Sequence, residues 1–418
     1  MKHQLMVVLN LGGSQAQTVA RKVRECNVYC EVYPFTVAED TIKSMSPKGI
    51  IITGGFGDVP EIRHEKLTWV DNIGVPVLEI GQGASISVEA LSGGIGKKCL
   101  DAFLKTSCDC VGDWSIEEFM TNSINNIREQ VKDSKVILGL SGGLNSSVLA
   151  ALLSKAIGQQ LICVYIDTGL MRKDEGNQIE ETFSSMDMTF VRVNAETNFL
   201  FKLVGVSDPI KKRKIISEEF SKIFEKEVEK HGEVEYMAKG TIYSDIAEKL
   251  IDKNTRTDNT TFKAILEPLK DLFKDEVRKL ALDLGLPDHI VYRQSFPVPG
   301  LAVRCIGSIT KERLEILKEA DQIFCEEIEK AGLSKKISQY FAIISDTKTT
   351  GIRNDHHTYE YTIALRAVTS DDDKTAYWVE LPFELIRSIS RRITTEVKFV
   401  NRVVYDITDT PPSTVEWE

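Results

Sequence analysis

Long apolar runs are missing from this 418-residue chain. None approaches the roughly 20 residues that a membrane-spanning helix needs, so no helical membrane anchor is expected. Positive charge is also in short supply. With 52 Lys and Arg against 62 Asp and Glu, the formal net charge is -10, which argues against a broad nucleic-acid-binding surface but leaves room for a small basic pocket. Cysteine is sparse and scattered: there are eight, with no C-x-x-C pair. Cys108 and Cys110 lie close, but without the second pair or the histidines that a zinc site wants. Reduced packing residues are the expected role for all of them. Internal repeats and low-complexity tracts are absent too. The opening residues, Met1 to Leu5, run directly into a strand pattern with no cleavage site, so a cytoplasmic protein is expected.

What is present is an ordinary globular composition, 42% hydrophobic and 27% charged, in a chain long enough for two or three domains. Its most informative stretch is residues 136–153, VILGLSGGLNSSVLAALL. An apolar run ends at Ser141-Gly142-Gly143, and a helix-compatible run opens with Ser146 and Ser147. Strand, glycine turn and helix start together build an anion site, because free backbone N–H groups and the helix dipole converge there. The two glycines let the backbone approach the anion without a Cβ in the way. The Gly-Lys-Ser/Thr ending of a Walker loop is lacking.

Coarse periodicity divides the chain into three. Up to about residue 112, strands at Leu5–Asn10, Val28–Tyr33, Gly49–Thr53 and Val75–Ile80 alternate with amphipathic stretches, which implies a mainly parallel sheet. From 113 to about 294, a helix at Ser115–Lys132 precedes the glycine turn, and strands follow at Leu161–Ile166, Thr189–Asn194 and Val234–Lys239. Ile215, Ile216, Phe220, Ile223 and Phe224 form one buried stripe on an intervening helix. Phe296-Pro297-Val298-Pro299-Gly300 breaks any regular element and opens the last part, 295–418. That part carries a helix near Lys311–Ala331 and strand patterns at Thr358–Val368 and Arg402–Asp406.

The turn at Ser141 resembles the PP-loop of ATP pyrophosphatases, which split ATP between its α and β phosphates. Further motifs, in order along nearly the whole chain, resemble the GMP synthase family. They include Gly112-Asp113-Trp114, Asp167 to Arg172 (DTGLMR), Asp208 to Ile216 (DPIKKRKII) and Gly240-Thr241-Ile242-Tyr243. Glu267-Pro268-Leu269, Phe273 to Arg278 (FKDEVR), Phe296 to Arg304, Ile363 to Thr369 (IALRAVT) and the ending Pro411 to Glu418 (PPSTVEWE) complete the set. The resemblance implies an α/β chain in three parts. Residues 1–112 would be a truncated, flavodoxin-like remnant of a glutamine amidotransferase, 113–294 a doubly wound PP-loop synthetase domain, and 295–418 an α+β dimerisation domain.

It also implies a two-stage reaction: adenylation of the 2-oxygen of xanthosine monophosphate, then displacement of AMP by ammonia. ATP and Mg²⁺ would be the cofactors, and a homodimer the assembly. On this likeness Ser141, Asn145, Ser146 and Ser147, with Gly142 and Gly143, hold the pyrophosphate. Asp167, Leu170 and Arg172 meet the adenosine, with Gly240, Thr241 and Asp245 also at the nucleotide and Asp245 at the metal. Arg213, Lys214, Arg304, Asp355 and Glu416 fall to the substrate. For Arg213 and Lys214, a solvated helix face within the run KKRK is the plainer possibility.

The chain also departs from the family. Where the family has a nucleophilic cysteine in Gly-x-Cys-x-Gly, this chain has Gly81 within Glu79 to Gly83, and glycine has no side chain to carry a thioester. None of the six histidines lies in a His-Pro-Glu motif. A glutaminase is therefore not expected, and ammonia could come from solution or from a separate glutaminase or donor protein. Asn145 replaces the family's PP-loop Asp, which should weaken metal binding. Asp252 to Thr261 stands in for a long lid with paired histidines, Val298 for a glycine, and Thr410 for a lysine expected at the substrate phosphate. Two other readings follow: an adenylating ligase with another substrate or a sulfur nucleophile, for which Cys305 is the candidate, and a non-catalytic nucleotide-binding paralogue.

Overall fold

A computed structural model describes residues 3–12, 15–54, 67–81, 86–246, 262–294, 296–370 and 375–418. Two compact units divide the chain, Met1–Ser123 and Ile124–Glu418. In the first, strands β1 (Leu5–Asn10), β2 (Tyr29–Pro34), β3 (Gly49–Gly54) and β4 (Val77–Gly81) form one parallel sheet in the order β2-β1-β3-β4. Among the described residues this matches the first four places of the flavodoxin-like order. Helices α1 (Gln15–Glu25), α2 (Glu39–Met45) and α3 (Gly94–Ala102) accompany it. The inner strand β3 is buried along its whole length, as an apolar run inside a parallel sheet requires. Helix α4 (Ile116–Val131) follows.

The second unit carries the sheet that the glycine turn belongs to. Strands β5 (Val136–Gly139), β6 (Leu161–Asp167), β7 (Thr189–Asn194), β8 (Tyr236–Ala238) and β9 (Ala264–Leu266) pair in parallel in the order β7-β6-β5-β8-β9. Chain order reverses between β5 and β8, which makes a topological switch point. Ligands of open α/β sheets bind outside the carboxyl ends of the strands at such a point. Helix α5 (Leu144–Ile157) leaves the turn after β5 and is buried nearly all round. Its sequence is apolar on every side, and a helix of that kind must be enclosed.

Helices α6 (Glu175–Ser184), α7 (Glu196–Leu203) and α8 (Pro209–Lys230) lie between β6 and β8, and α9 (Lys274–Asp283) and α10 (Asp288–Val291) follow β9. The Asp208 side chain caps α8 by accepting from the Lys211 N–H at 2.7 Å, and Pro209 fills the first helical position. After α11 (Lys311–Lys330) come β10 (Gln339–Arg353) and β11 (His356–Thr369), paired as a long antiparallel hairpin. Then follow β12 (Tyr377–Trp378), α12 (Phe383–Glu396) and β13 (Val400–Tyr405). Strand β13 joins β11 in parallel and β12 joins it antiparallel. One hydrophobic core runs through this unit, from Ile137, Ile166 and Ile216 to Leu301, Phe324 and Ile363. Among the described residues no helix is long and apolar enough to cross a membrane.

Candidate active site

The loop Ser141-Gly142-Gly143 sits where β5 gives way to α5. Gly142 has φ +75°, a backbone state that favours glycine. A Cβ there would lie 2.3 Å from Ile179 Cδ1 and 2.9 Å from an Arg293 nitrogen. Its missing side chain is thus required by packing behind the loop, rather than by an anion in front as the sequence alone led us to expect. At Gly143 a Cβ would meet only Ser141 Oγ, at 3.5 Å, an ordinary contact, so packing does not demand glycine here.

The hydroxyls differ as well. Ser141 Oγ and Ser146 Oγ are 2.9 Å apart. The Ser141 N–H donates to Ser146 Oγ (3.3 Å), the Gly143 N–H donates to Ser141 Oγ (3.3 Å), and Ser146 Oγ donates to the Gly143 carbonyl (3.1 Å). These long, mutual bonds leave donors that an anion could recruit. Ser147, by contrast, is wholly buried, and its hydroxyl has no hydrogen-bond partner among the described residues. Asn145 is half-buried in the first turn of α5.

Across the switch point, the segment after β8 abuts the loop. A Cβ on Gly240 would be 3.1 Å from the Asn145 carbonyl carbon, so any side chain there would press on the backbone of the first turn of α5. Thr241 Oγ1 donates to Glu267 Oε1 at 2.6 Å, and Asp245 accepts the Ile242 N–H at 2.9 Å. Asp245 therefore caps a turn beside the loop and keeps one carboxylate oxygen for other use. Among the described residues no group of three or more His, Cys, Asp or Glu is arranged to hold a metal. A single carboxylate fits Mg²⁺, which is commonly held by one or two carboxylates together with substrate phosphates.

Asp167 ends β6. One oxygen accepts the Gly169 N–H (3.1 Å) and the other accepts from Arg192 (2.6 Å). Leu170 is buried, and its carbonyl accepts the Leu301 N–H at 2.7 Å. A Cβ on Gly300 would come within 2.3 Å of that carbonyl, which accounts for the glycine after Pro299. Arg172 reaches away to the C-terminal elements, pairing with Asp321 at 3.0 Å and donating to the Tyr340 carbonyl at 3.1 Å.

The expected substrate residues part company. Arg304 is buried and grips Glu416 with two bonds, 3.0 and 2.7 Å, while stacking 3.8 Å above the Phe341 ring. Arg213 donates to the main-chain oxygen of Glu418. Lys214 is 74% exposed and lies 3.9 Å from Glu218, on the solvated side of α8. Asp355, with Asn354, forms the turn of the β10–β11 hairpin, both at positive φ. Ile344, the β10 residue hydrogen-bonded to Arg304, pairs with Ile363, and from Ile363 to His356 at that turn β11 runs seven residues, roughly 23 Å at 3.3 Å per residue. One chain does not bring Asp355 to Arg304 and Glu416. Gly81 closes β4 with φ +151° and donates its N–H to the Ile86 carbonyl at 2.8 Å. The stand-in for the lid, 252–261, lies outside the described residues.

Three residues escaped the sequence reading. Lys212 is completely buried; its Nζ donates to the Ala302 and Cys305 carbonyls (3.3 and 2.8 Å) and pairs with Glu418. The signal was there, since Lys212 continues the Ile216–Phe220 stripe one helical turn back. Arg293 pairs with the buried Glu175 and donates to the Gly142 carbonyl at 2.6 Å. Burial, with the nearby Arg172 cation, draws the Arg293 guanidinium down to about 10. No pattern in a single sequence marks either member of that pair.

Residues 326–417 match the family described as GMP synthase C terminal domain, 7–139 Glutamine amidotransferase class-I, and 115–201 NAD synthase. Curated relatives named GMP synthase [glutamine-hydrolyzing] are 41% identical in Acetivibrio thermocellus and in Finegoldia magna, covering 100% of this chain and of theirs. In Treponema denticola the relative is 40% identical, over 99% of this chain and 97% of its own. The Acetivibrio alignment spans 515 positions against 418 residues here, so this chain crosses it with gaps. Among solved structures, an NH3-dependent NAD synthetase from Campylobacter jejuni shares 16% identity over 52% of this chain and 87% of its own, with a TM-score of 0.34, a distance from which nothing follows.

Proposed function

The chain belongs to the GMP synthase family, and we propose that it adenylates the 2-carbonyl oxygen of xanthosine monophosphate, or of a closely related purine, for displacement by ammonia. The carbonyl oxygen attacks the α-phosphorus of ATP. The bond from that phosphorus to the β-bridging oxygen breaks, and pyrophosphate leaves. Ammonia then attacks the activated carbon, and AMP departs with the former carbonyl oxygen. The observation that carries this reading is the polar loop at Ser141, Gly143 and Ser146, set at the switch point with Gly240 against its back. Backbone and hydroxyl donors there suit the developing charge on pyrophosphate. Asp245 would hold Mg²⁺, which supplies charge neutralisation between the phosphates.

In this reading the segment from Asp167 through Leu170 to the backbone of Arg172 lines the adenosine, and Arg213, Arg304 and Glu416 the purine nucleotide. The division at 112 and 294, the cytoplasmic location and the homodimer belong to it too. The relatives are named as glutamine-hydrolyzing; we propose that this chain is not. A glycine at position 81, the missing His-Pro-Glu and the gapped alignment support that difference. Sulfur chemistry is disfavoured: Cys305 is fully buried, and burial pushes its thiol up to about 11, so the nucleophilic thiolate is scarce at neutral pH.

The deciding experiment is pyrophosphate release by the purified protein with Mg²⁺-ATP, xanthosine monophosphate and either ammonium chloride or glutamine. Release with GMP formation under ammonium alone is expected. Equal rates with glutamine would overturn the glutaminase-free reading, and no release in either arm would overturn the adenylation itself.

A further inference from the structure

The orientation of one peptide decides whether the glycine turn can receive an anion. The plane between Gly142 and Gly143 is flanked by two residues without side chains, and Gly142 already stands at φ +75°, so its backbone conformation restrains the plane little. Across a trans peptide the C=O and N–H point in opposite directions. Whatever holds the Gly142 carbonyl therefore aims the Gly143 N–H. Among the described residues the donor to that carbonyl is Arg293, at 2.6 Å. With the carbonyl drawn that way, the Gly143 N–H faces Ser141 Oγ at 3.3 Å, beside Ser146 Oγ.

The Arg293 side chain is itself fixed at both ends. Its guanidinium pairs with Glu175, which is 3% exposed, at the start of α6. Next along the chain, Gln294 accepts the Tyr340 N–H at 2.7 Å, which ties this stretch to β10. Glu175 uses its second oxygen to accept the Arg172 N–H at 2.8 Å. A continuous chain thus runs from the Gly142 carbonyl through Arg293 and Glu175 to the backbone of Arg172. It joins the loop proposed for pyrophosphate to the segment proposed for adenosine. Attack at an α-phosphorus needs those two ends of the nucleotide at a fixed spacing, because small misplacements of bound reactants are costly.

We propose that Arg293 is a positioning residue, which through its fork on Gly142 and Glu175 holds the Gly143 N–H toward the pyrophosphate and sets its register with the nucleoside end. This rests on the reading of the loop given above. A lysine can keep the charge against Glu175 but cannot serve both partners with a planar fork.

The test uses the full chain, with inorganic pyrophosphate plus Mg²⁺ as one probe and adenosine as the other, each by calorimetry. Selective glycine labelling follows the Gly143 amide by NMR. For Arg293→Lys the expected result is a loss of pyrophosphate affinity on the order of ten- to a hundredfold, a displaced Gly143 amide signal and unchanged adenosine affinity. Glu175→Gln, which loosens the same chain without removing the arginine, is expected to shift both readouts the same way but less, and it carries the test if Arg293→Lys does not fold. A folded Arg293→Lys that binds pyrophosphate as the wild type does would overturn the positioning role alone. A wild-type protein that binds no Mg²⁺-pyrophosphate would overturn the reading of the loop, and this proposal with it.

Discussion

Ser146 and Ser147 are neighbours in sequence and opposites in situation. Ser146 bonds within the loop, whereas Ser147 buries a hydroxyl without a partner among the described residues. A buried unsatisfied hydroxyl costs about 1–3 kcal/mol relative to a satisfied one. Ser147→Ala is therefore expected to leave pyrophosphate release intact and to hold or raise the thermal midpoint, whereas Ser146→Ala slows release; scanning calorimetry and a phosphate-coupled assay read both. Asn145→Asp should restore an anionic side chain near the metal and lower the Mg²⁺ concentration for half-maximal ATP binding; an unchanged titration would count against a place for Asn145 beside the ion. The sign at Cys305 is also fixed. Its thiol stays neutral in the fold up to about 11, while the unfolded chain ionises from the ordinary value of 9.0. Its contribution to stability is therefore full below that value and is lost as pH rises through the folded one. Urea midpoints measured between pH 8 and pH 11 should fall less steeply for Cys305→Ala than for the wild type.

At the scale of elements, α8 shows how a charge run divides. In KKRK, Lys214 is solvated as the plainer possibility had it, and Lys212 is enclosed, because a helix turns 100° per residue and only one position in such a run can face the core. Lys212, Arg304 and Arg366, all buried, meet Glu418, Glu416 and Asp406 of the closing segment. Lys212→Met leaves the Ala302 and Cys305 carbonyls without the Lys212 donor and the Glu418 carboxylate without its cation, held among the described residues by the Gly307 N–H alone. The expected cost is about 3–5 kcal/mol, read by urea denaturation, and Glu418→Gln added to it should recover part of the loss. Thr410, where the sequence comparison expects a phosphate-binding lysine, is spent on Arg366, which donates to its Oγ1 at 3.1 Å.

At the scale of the whole molecule, Asp355 at the hairpin turn stands well apart along the strands from the Arg304–Glu416 pair. If both contact the purine nucleotide, they do so from different subunits of the proposed dimer. Mixing inactive Asp355→Ala with inactive Glu416→Gln should then recover about a quarter of wild-type activity through hybrid dimers with one intact site; no recovery would place the site within one chain. The strands and the glycine turn were legible because period, punctuation and loop chemistry are local: β1 and β7 begin and end where the pattern places them, and the turn at Ser141 opens α5 as expected. Strand β9 and helix α12 were not marked out, the first being short and the second distinguishable only by the face it buries. The sequence by itself determined the family, the order of elements and the residue types at the loop. Only the tertiary structure decided which of them can act together. It put Ile179 and Arg293 behind Gly142, set Ser147 inward, enclosed Lys212 and carried Asp355 away from Glu416, since burial and distance depend on which distant segments fold against one another.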